Sequence, residues 1–190
     1  MAALFAVGYF LISSLFGLII VFLWLRIALH YCRISSLNAF YQLIHKLTNP
    51  IVEPINFLFK QTKLNVKYDW SSFGVLVLVE FLKVVCLSLL VLKTMLPFIT
   101  TVLTVALDLI VQPLDLLFYA LLIRVILQFA NPNWNHPFGP FLFAITEPLF
   151  NIGRRLISPI SGFDFSPFVM MLILKIISLA LSNILPGRLF

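Results

Sequence analysis

Seven ionisable side chains fall inside long apolar runs of this 190-residue chain: Arg26, Glu80, Lys83, Asp108, Asp115, Arg124 and Lys175. A charge at the centre of a bilayer costs roughly 2.5–3.5 kcal/mol on insertion scales, so such groups point by default to a functional site. Their chemistry is ion pairing, proton relay or ion handling. Each also has a plainer reading. Arg26 and Arg124 stand near the ends of their runs, where long side chains reach back to the surface. Glu80 and Lys83 are spaced i, i+3 and can pair on one helix. Asp108 is close enough to the start of its run to be solvated. Asp115 is short and, by residue count, deep.

Other chemistry is missing from the pattern. No phosphate-binding loop, dinucleotide fingerprint, zinc-protease or nucleophile-elbow motif occurs, so no catalytic residue is assigned and no enzyme is expected. His30, His45 and His136 are scattered, and Cys32 and Cys86 have no metal or redox spacing. No metal ligand and no cofactor is expected.

The elements that position these residues follow from composition. The chain is 62% hydrophobic and 11% charged, with a net charge of +6, against about 25% charged residues in an ordinary globular chain. This predicts a multi-pass membrane protein and argues against direct nucleic-acid binding. The positive excess suits anionic headgroups. In hydrocarbon the backbone must satisfy its own polar groups, so the runs are helices and the fold is all-α. No basic residue precedes Arg26, unlike a signal peptide, so the first run is kept as a membrane helix.

Ala2 to about Cys32 predicts a first span. Leu37 to Lys60 is amphipathic, interrupted by Pro50 and Pro54, and suits the headgroup plane. Lys60 to Tyr68 is a basic loop, and Asp69 to Ser72 is a helix start with Trp70 at the interface. Phe73 to Leu92 is a second span, ended by Pro97. Phe98 to Ala130 is a third, with a kink expected at Pro113. Asn131 to Pro140 is a loop, Phe141 to Leu156 a second amphipathic segment, and Ser166 to Leu185 a fourth span with Pro167 in its first turn.

The chain also repeats. A shift of 98 positions pairs Arg26 with Arg124, Phe40 with Phe138, Thr48 with Thr146 and Pro50 with Pro148; a shift of 95 pairs Asp69 with Asp164 and Ser71 with Ser166. The repeats are placed at residues 1–96 and 97–190. Two spans in each make them parallel, related by an axis along the membrane normal. Basic residues then set the orientation. Arg33, Lys46, Lys60, Lys63, Lys67, Arg154 and Arg155 flank the amphipathic segments, whereas Lys93 and Arg188 lie opposite. The amphipathic segments are therefore expected in the cytoplasm and both termini in the periplasm. Eleven residues beyond each cap aspartate stand Glu80 and Lys175, which predicts an acid–base contact between the halves, joined by Lys83 or Asp115.

The segment from Thr146 through Glu147, Pro148 and Arg154-Arg155 to Gly162-Phe163-Asp164-Phe165-Ser166-Pro167 resembles the YggT family, whose domain is shared with the YlmG and CCB3 proteins. The family pattern is two prolines four residues apart, an arginine pair, then Gly-Ile-Asp-Phe-Ser-Pro. Here the second half has Ile152 in place of the later proline. The first half keeps Pro50 and Pro54 but has Asn56-Phe57 for the arginines. The tandem two-copy form implies an inner-membrane protein of proteobacteria. It also implies diverse roles: organisation of membrane complexes or the cell envelope, or osmotic and potassium tolerance. The combined expectation is four transmembrane helices in two parallel tandem repeats, each with an amphipathic interfacial segment. Arg154 and Arg155 would contact lipid phosphates or a partner, either another membrane protein or a second copy. The alternative is ion handling through the intramembrane set.

Overall fold

The computed structural model describes residues 2–56, 69–130, 136–156 and 164–184, and these form six helices. They are α1 (Ala2–Tyr31), α2 (Ala39–Asn56), α3 (Trp70–Leu92), α4 (Phe98–Ala130), α5 (Gly139–Leu156) and α6 (Ser166–Ser182). Among the described residues three stretches are long and apolar enough to cross a membrane: Ala6–Tyr31, Trp70–Val91 and Phe98–Ala130. The helix α6 is a shorter apolar helix of 17 residues. Lys60, Lys63, Lys67, the loop residues 131–135, Gly162 and Arg188 lie outside the described residues.

Local chemistry sets the boundaries. Arg33 adopts a left-handed φ of 51°, and the Ile34 N–H reaches back to the Leu29 carbonyl, closing α1. The amphipathic helix begins at Ala39, two residues later than its periodicity suggests. The Asn38 side-chain oxygen takes the N–H of Phe40 at 2.8 Å, the hydrogen bond of an N-terminal cap, and leaves Leu37 outside at 86% exposure. Pro50 and Pro54 do not interrupt α2. Both prolines are exposed, as is Lys46, so the carbonyls they deprive of a donor face outward, where solvent or headgroups can bond them. Asp69 caps α3 as expected. Pro97 does not end that helix. Lys93, with a φ of 56°, turns the chain first, and the Pro97 carbonyl instead accepts the Thr101 N–H and the Thr100 hydroxyl at the start of α4. Pro113 lies within a continuous α4.

The chain divides into two compact units, Met1–Leu109 and Ile110–Phe190. In the first, Ile20 and Leu23 of α1 pack with Val52 of α2 and Val75, Leu76 and Val79 of α3. In the second, Leu121 and Val125 of α4 pack with Phe150 of α5 and Met170, Met171 and Leu174 of α6. These cores occupy equivalent positions. Leu23 and Leu121, and Val52 and Phe150, are 98 residues apart; Val75, Leu76 and Val79 stand 95 residues before Met170, Met171 and Leu174. The same two shifts that align the polar motifs therefore align the buried residues.

Gly153 shows how closely α5 lies on α6. A Cβ there would stand 2.9 Å from Met170 Cγ and 3.0 Å from both Ser166 Cβ and the Ser166 carbonyl. Backbone cannot yield as a side chain can, so Gly153→Ala is expected to destabilise by about 1–3 kcal/mol. Gly17, with nothing within 4 Å, is the control. Thermal unfolding in mild detergent should show a clear loss for G153A and none for G17A.

Candidate functional site

One guanidinium joins three elements in the first unit. Arg26, on the last turns of α1, is 7% exposed and lies against α2 rather than reaching outward. Its Nη1 donates to the Thr48 hydroxyl and to Asn49 Oδ1, each at 2.8 Å. Its Nε donates to Asp69 Oδ2 at 3.3 Å. Thr48 can accept because its own proton goes to the Ile44 carbonyl, one turn back in α2. Asp69 meanwhile caps α3 through the Ser72 N–H and hydroxyl. Burial raises the cost of charge at Asp69, but the Ser72 hydrogen bonds and Arg26 outweigh it and hold the carboxyl below its ordinary value.

The second unit repeats the arrangement with two changes. Arg124 Nη1 donates to the Thr146 hydroxyl at 2.7 Å, and Thr146 donates to the Leu142 carbonyl. The residue after the threonine again contacts the arginine, here Glu147 at 2.7 Å from Nη2. Asp164 takes a different partner: it accepts from Arg154 Nε at 2.8 Å and from the Ser166 N–H. It precedes the α6 cap position, which Phe165 occupies without a side-chain hydrogen bond. Burial works against its charge; the Ser166 and Arg154 hydrogen bonds prevail and lower its pKa. The Arg124 guanidinium also lies 4.0 Å from the Phe150 ring centroid and 4.7 Å from that of Phe143.

The other charges carried by the long apolar helices and α6 have partners inside their own units. Lys83 Nζ contacts Glu80 and, at 3.3 Å, Asp108 Oδ2. Glu80 is fully buried, Asp108 is 2% exposed, and the Lys83 side chain is 12% exposed. Lys175 pairs with Asp115 at 3.2 Å, and the Ser178 hydroxyl donates to the same carboxylate. Within its own unit Glu80 is met by Lys83, and within its own unit Lys175 is met by Asp115. The plain i, i+3 reading of Glu80 and Lys83 holds, with Asp108 added from α4. Arg155 is exposed, and Pro148 is exposed within α5, while Pro167 is buried in the first turn of α6. Cys32 and Cys86 are free thiols. Among the described residues no three His, Cys, Asp or Glu side chains converge as a metal site.

The motif spacing singles out Arg26, Thr48, Asp69, Arg124, Thr146 and Asp164 but not Asn49, Glu147 or His45. Position 49 matches position 147 under the same shift, so the signal is present, hidden by the change of residue type. His45 stacks on Tyr41 with centroids 4.1 Å apart, and its Nε2 is buried with no hydrogen-bond partner among the described residues. Burial, then the nearby Arg26 charge, lower its pKa to about 4; Asp69 opposes this and His30 adds to it. His45 is therefore neutral at pH 7.

Comparison with known proteins reaches almost the whole chain. A family model described as CCB3/YggT matches twice, over residues 5–90 and 98–185. The chain is 28% identical over 177 residues to the protein YggT of Escherichia coli strain K12, covering 93% of this chain and 89% of that protein. It is 32% identical to a protein encoded in the proC 3′ region of Vibrio alginolyticus, covering 93% and 94%, and 27% identical to a Haemophilus influenzae protein, covering 93% and 92%. None of these relatives' names states an activity, and no solved structure matches.

The two clamps differ in exposure, which yields unequal costs. Asp69→Asn leaves the charge of Arg26 buried and should cost about 3 kcal/mol. Glu147→Gln removes a partner that is 47% exposed and should cost no more than about 1 kcal/mol. Thermal unfolding in detergent compares them directly. The folded pKa of His45, about 4, lies below its ordinary 6.5, so the folded chain binds fewer protons between those values. Its contribution is fully present above about pH 6.5 and is lost as pH falls toward 4. His45→Phe should flatten the pH dependence of the melting temperature in that window.

Proposed function

The chain belongs to the CCB3/YggT family, and from that premise we propose that it is a non-enzymatic accessory or organising protein of the bacterial inner membrane. It acts by presenting two amphipathic helices at the membrane surface to anionic headgroups and to other membrane proteins. One observation carries this reading: α2 and α5, 18 residues each, are both tied to a long apolar helix through a buried threonine and an arginine. Each keeps its outer face open, with Leu43, Lys46 and Leu47 on one and Phe143, Ile152 and Arg155 on the other. A helix held at one face and left both apolar and basic on the other suits the headgroup plane.

In this reading the repeats at residues 1–96 and 97–190 each contribute two spans and run in parallel. The helix α6 is the fourth span, its 17 residues rising about 25 Å against roughly 30 Å of hydrocarbon. The excess of basic residues beside α2 and α5 directs those helices to the cytoplasm and the termini to the periplasm. Arg154 and Arg155 face phosphates or a partner protein.

A second reading has its own support. Lys83 bridges Glu80 and Asp108 within apolar helices, and Lys175 pairs with Asp115. Charges so placed are costly to keep and suit ion handling under osmotic stress, with potassium as the cation the family resemblance suggests and an oligomer supplying the pore.

Single cysteines at Lys46 and Arg155, in a background with Cys32 and Cys86 replaced by alanine, test the first reading. A membrane-impermeant maleimide should label them in inverted vesicles and spare them in intact spheroplasts; the reverse pattern refutes the orientation. Crosslinking in cells should lose its partner bands on Arg154→Glu with Arg155→Glu. Cation flux through proteoliposomes that is abolished by Asp115→Asn would instead establish the second reading.

A further inference from the structure

The two arginine clamps are copies of one design with side chains similarly covered, 8% exposed for Arg26 and 11% for Arg124, and they differ in the acid, 13% exposed for Asp69 and 47% for Glu147. Arg26 is held by Thr48, Asn49 and Asp69. In the second unit the acid that corresponds to Asp69 is Asp164, and Arg154 holds it. Among the described residues this leaves Arg124 with Glu147 as its anionic partner, on a side chain that is about half exposed.

The surroundings of Arg124 are positive and aromatic. Arg154 lies over the same Phe150 ring, at 5.7 Å, that Arg124 covers at 4.0 Å. Phe150 itself is buried, so two guanidinium groups converge on one fixed ring. Arg155, the next residue along α5, is exposed. Among the described residues here three arginines face two carboxylates, which leaves a positive excess. Stacking on a ring occupies the flat face of a guanidinium and leaves its N–H edge free to donate, the geometry that grips phosphate oxygens in pairs. Phe143 and Ile152 are exposed on the same helix, an apolar margin that a soluble oxyanion could not use.

We propose that this face of α5 binds the phosphodiester headgroup of an anionic phospholipid between Arg124 and Arg154, with Glu147 as the group it displaces. The proposal rests on the interfacial placement of α5 argued above. Glu147 acts as a resident competitor: it satisfies Arg124 when no headgroup is present and swings into solvent when one arrives. At the Arg26 clamp the acid is not displaced in this way, because the Asp69 carboxylate is largely buried and also committed to Ser72. The exchange of Glu147 for a headgroup is therefore proposed for the second copy.

Native mass spectrometry of the purified full chain in mixed micelles reads the affinity for phosphatidylglycerol and phosphatidylcholine separately. The unmodified chain should retain phosphatidylglycerol in preference. Glu147→Gln removes the competitor and should tighten phosphatidylglycerol by about two- to fivefold, the value of one exposed ion pair. Arg154→Gln should weaken it, and Lys93→Gln, at an exposed position beyond α3, should leave it unchanged; circular dichroism checks that each variant is folded. Equal retention of the two lipids, weakening by Glu147→Gln, or equal losses for Arg154→Gln and Lys93→Gln would overturn the proposal. Full displacement of lipid by millimolar inorganic phosphate would overturn it in favour of a soluble oxyanion. Maleimide labelling of α5 from outside would refute the cytoplasmic orientation and leave this binding result standing. Absence of lipid preference with the expected labelling would remove the headgroup site alone.

Discussion

An arginine that ties a long apolar helix to the amphipathic helix beside it is the constraint on which each unit depends. An apolar helix in lipid has little reason to fix the angle of an amphipathic neighbour, because lipid tails are as apolar as leucine. A guanidinium with a threonine on one side and a carboxylate on the other supplies direction. In the first unit it links α1 to α2 through Thr48 and to the capping residue of α3 through Asp69. The threonine bonds its own helix as well as accepting, so the contact also depends on α2 being helical at Ile44. The apolar cores of equivalent residues then fill around this tie.

Duplication preserved the tie but redistributed its charges. The pair Arg26–Asp69 became two pairs, Arg124–Glu147 and Arg154–Asp164. Each new pair includes a side chain that is about half exposed, whereas both members of the old pair are largely buried. One copy is thereby suited to holding the molecule together and the other to exchanging partners with its surroundings. The glycine at position 153 belongs to the same specialisation, since it lets α5 approach the start of α6 beside Arg154.

Most helices are legible in the sequence because lipid leaves the backbone few choices and the apolar runs are long. The run from Phe98 to Ala130 has the same limits in its composition and in the helix. Departures are local. Prolines 50 and 54 look like breaks, yet the helix tolerates them where the orphaned carbonyls face outward. Pro97 looks like a stop, yet a left-handed Lys93 turns the chain first. In the site, the repeat exposes the arginines and threonines because their types are unchanged. Asn49 and Glu147 are hidden because duplication kept the position and replaced the chemistry. The partners of Glu80 and Lys175 escape for another reason. Symmetry names equivalent positions and is silent on neighbours within a unit, where Lys83 meets Glu80 and Asp108 and Lys175 meets Asp115.

The bond from Lys83 to Asp108 has a consequence for how such a chain can be divided. Asp108 lies beyond Pro97, inside the second repeat as the internal alignment draws it, yet it neutralises a lysine of the first. The ancestral hairpin, once doubled, lent its neighbour a carboxylate. A gene severed between the copies would leave Lys83 with Glu80 and take away the lysine that Asp108 meets, so at this contact the two copies are no longer chemically independent.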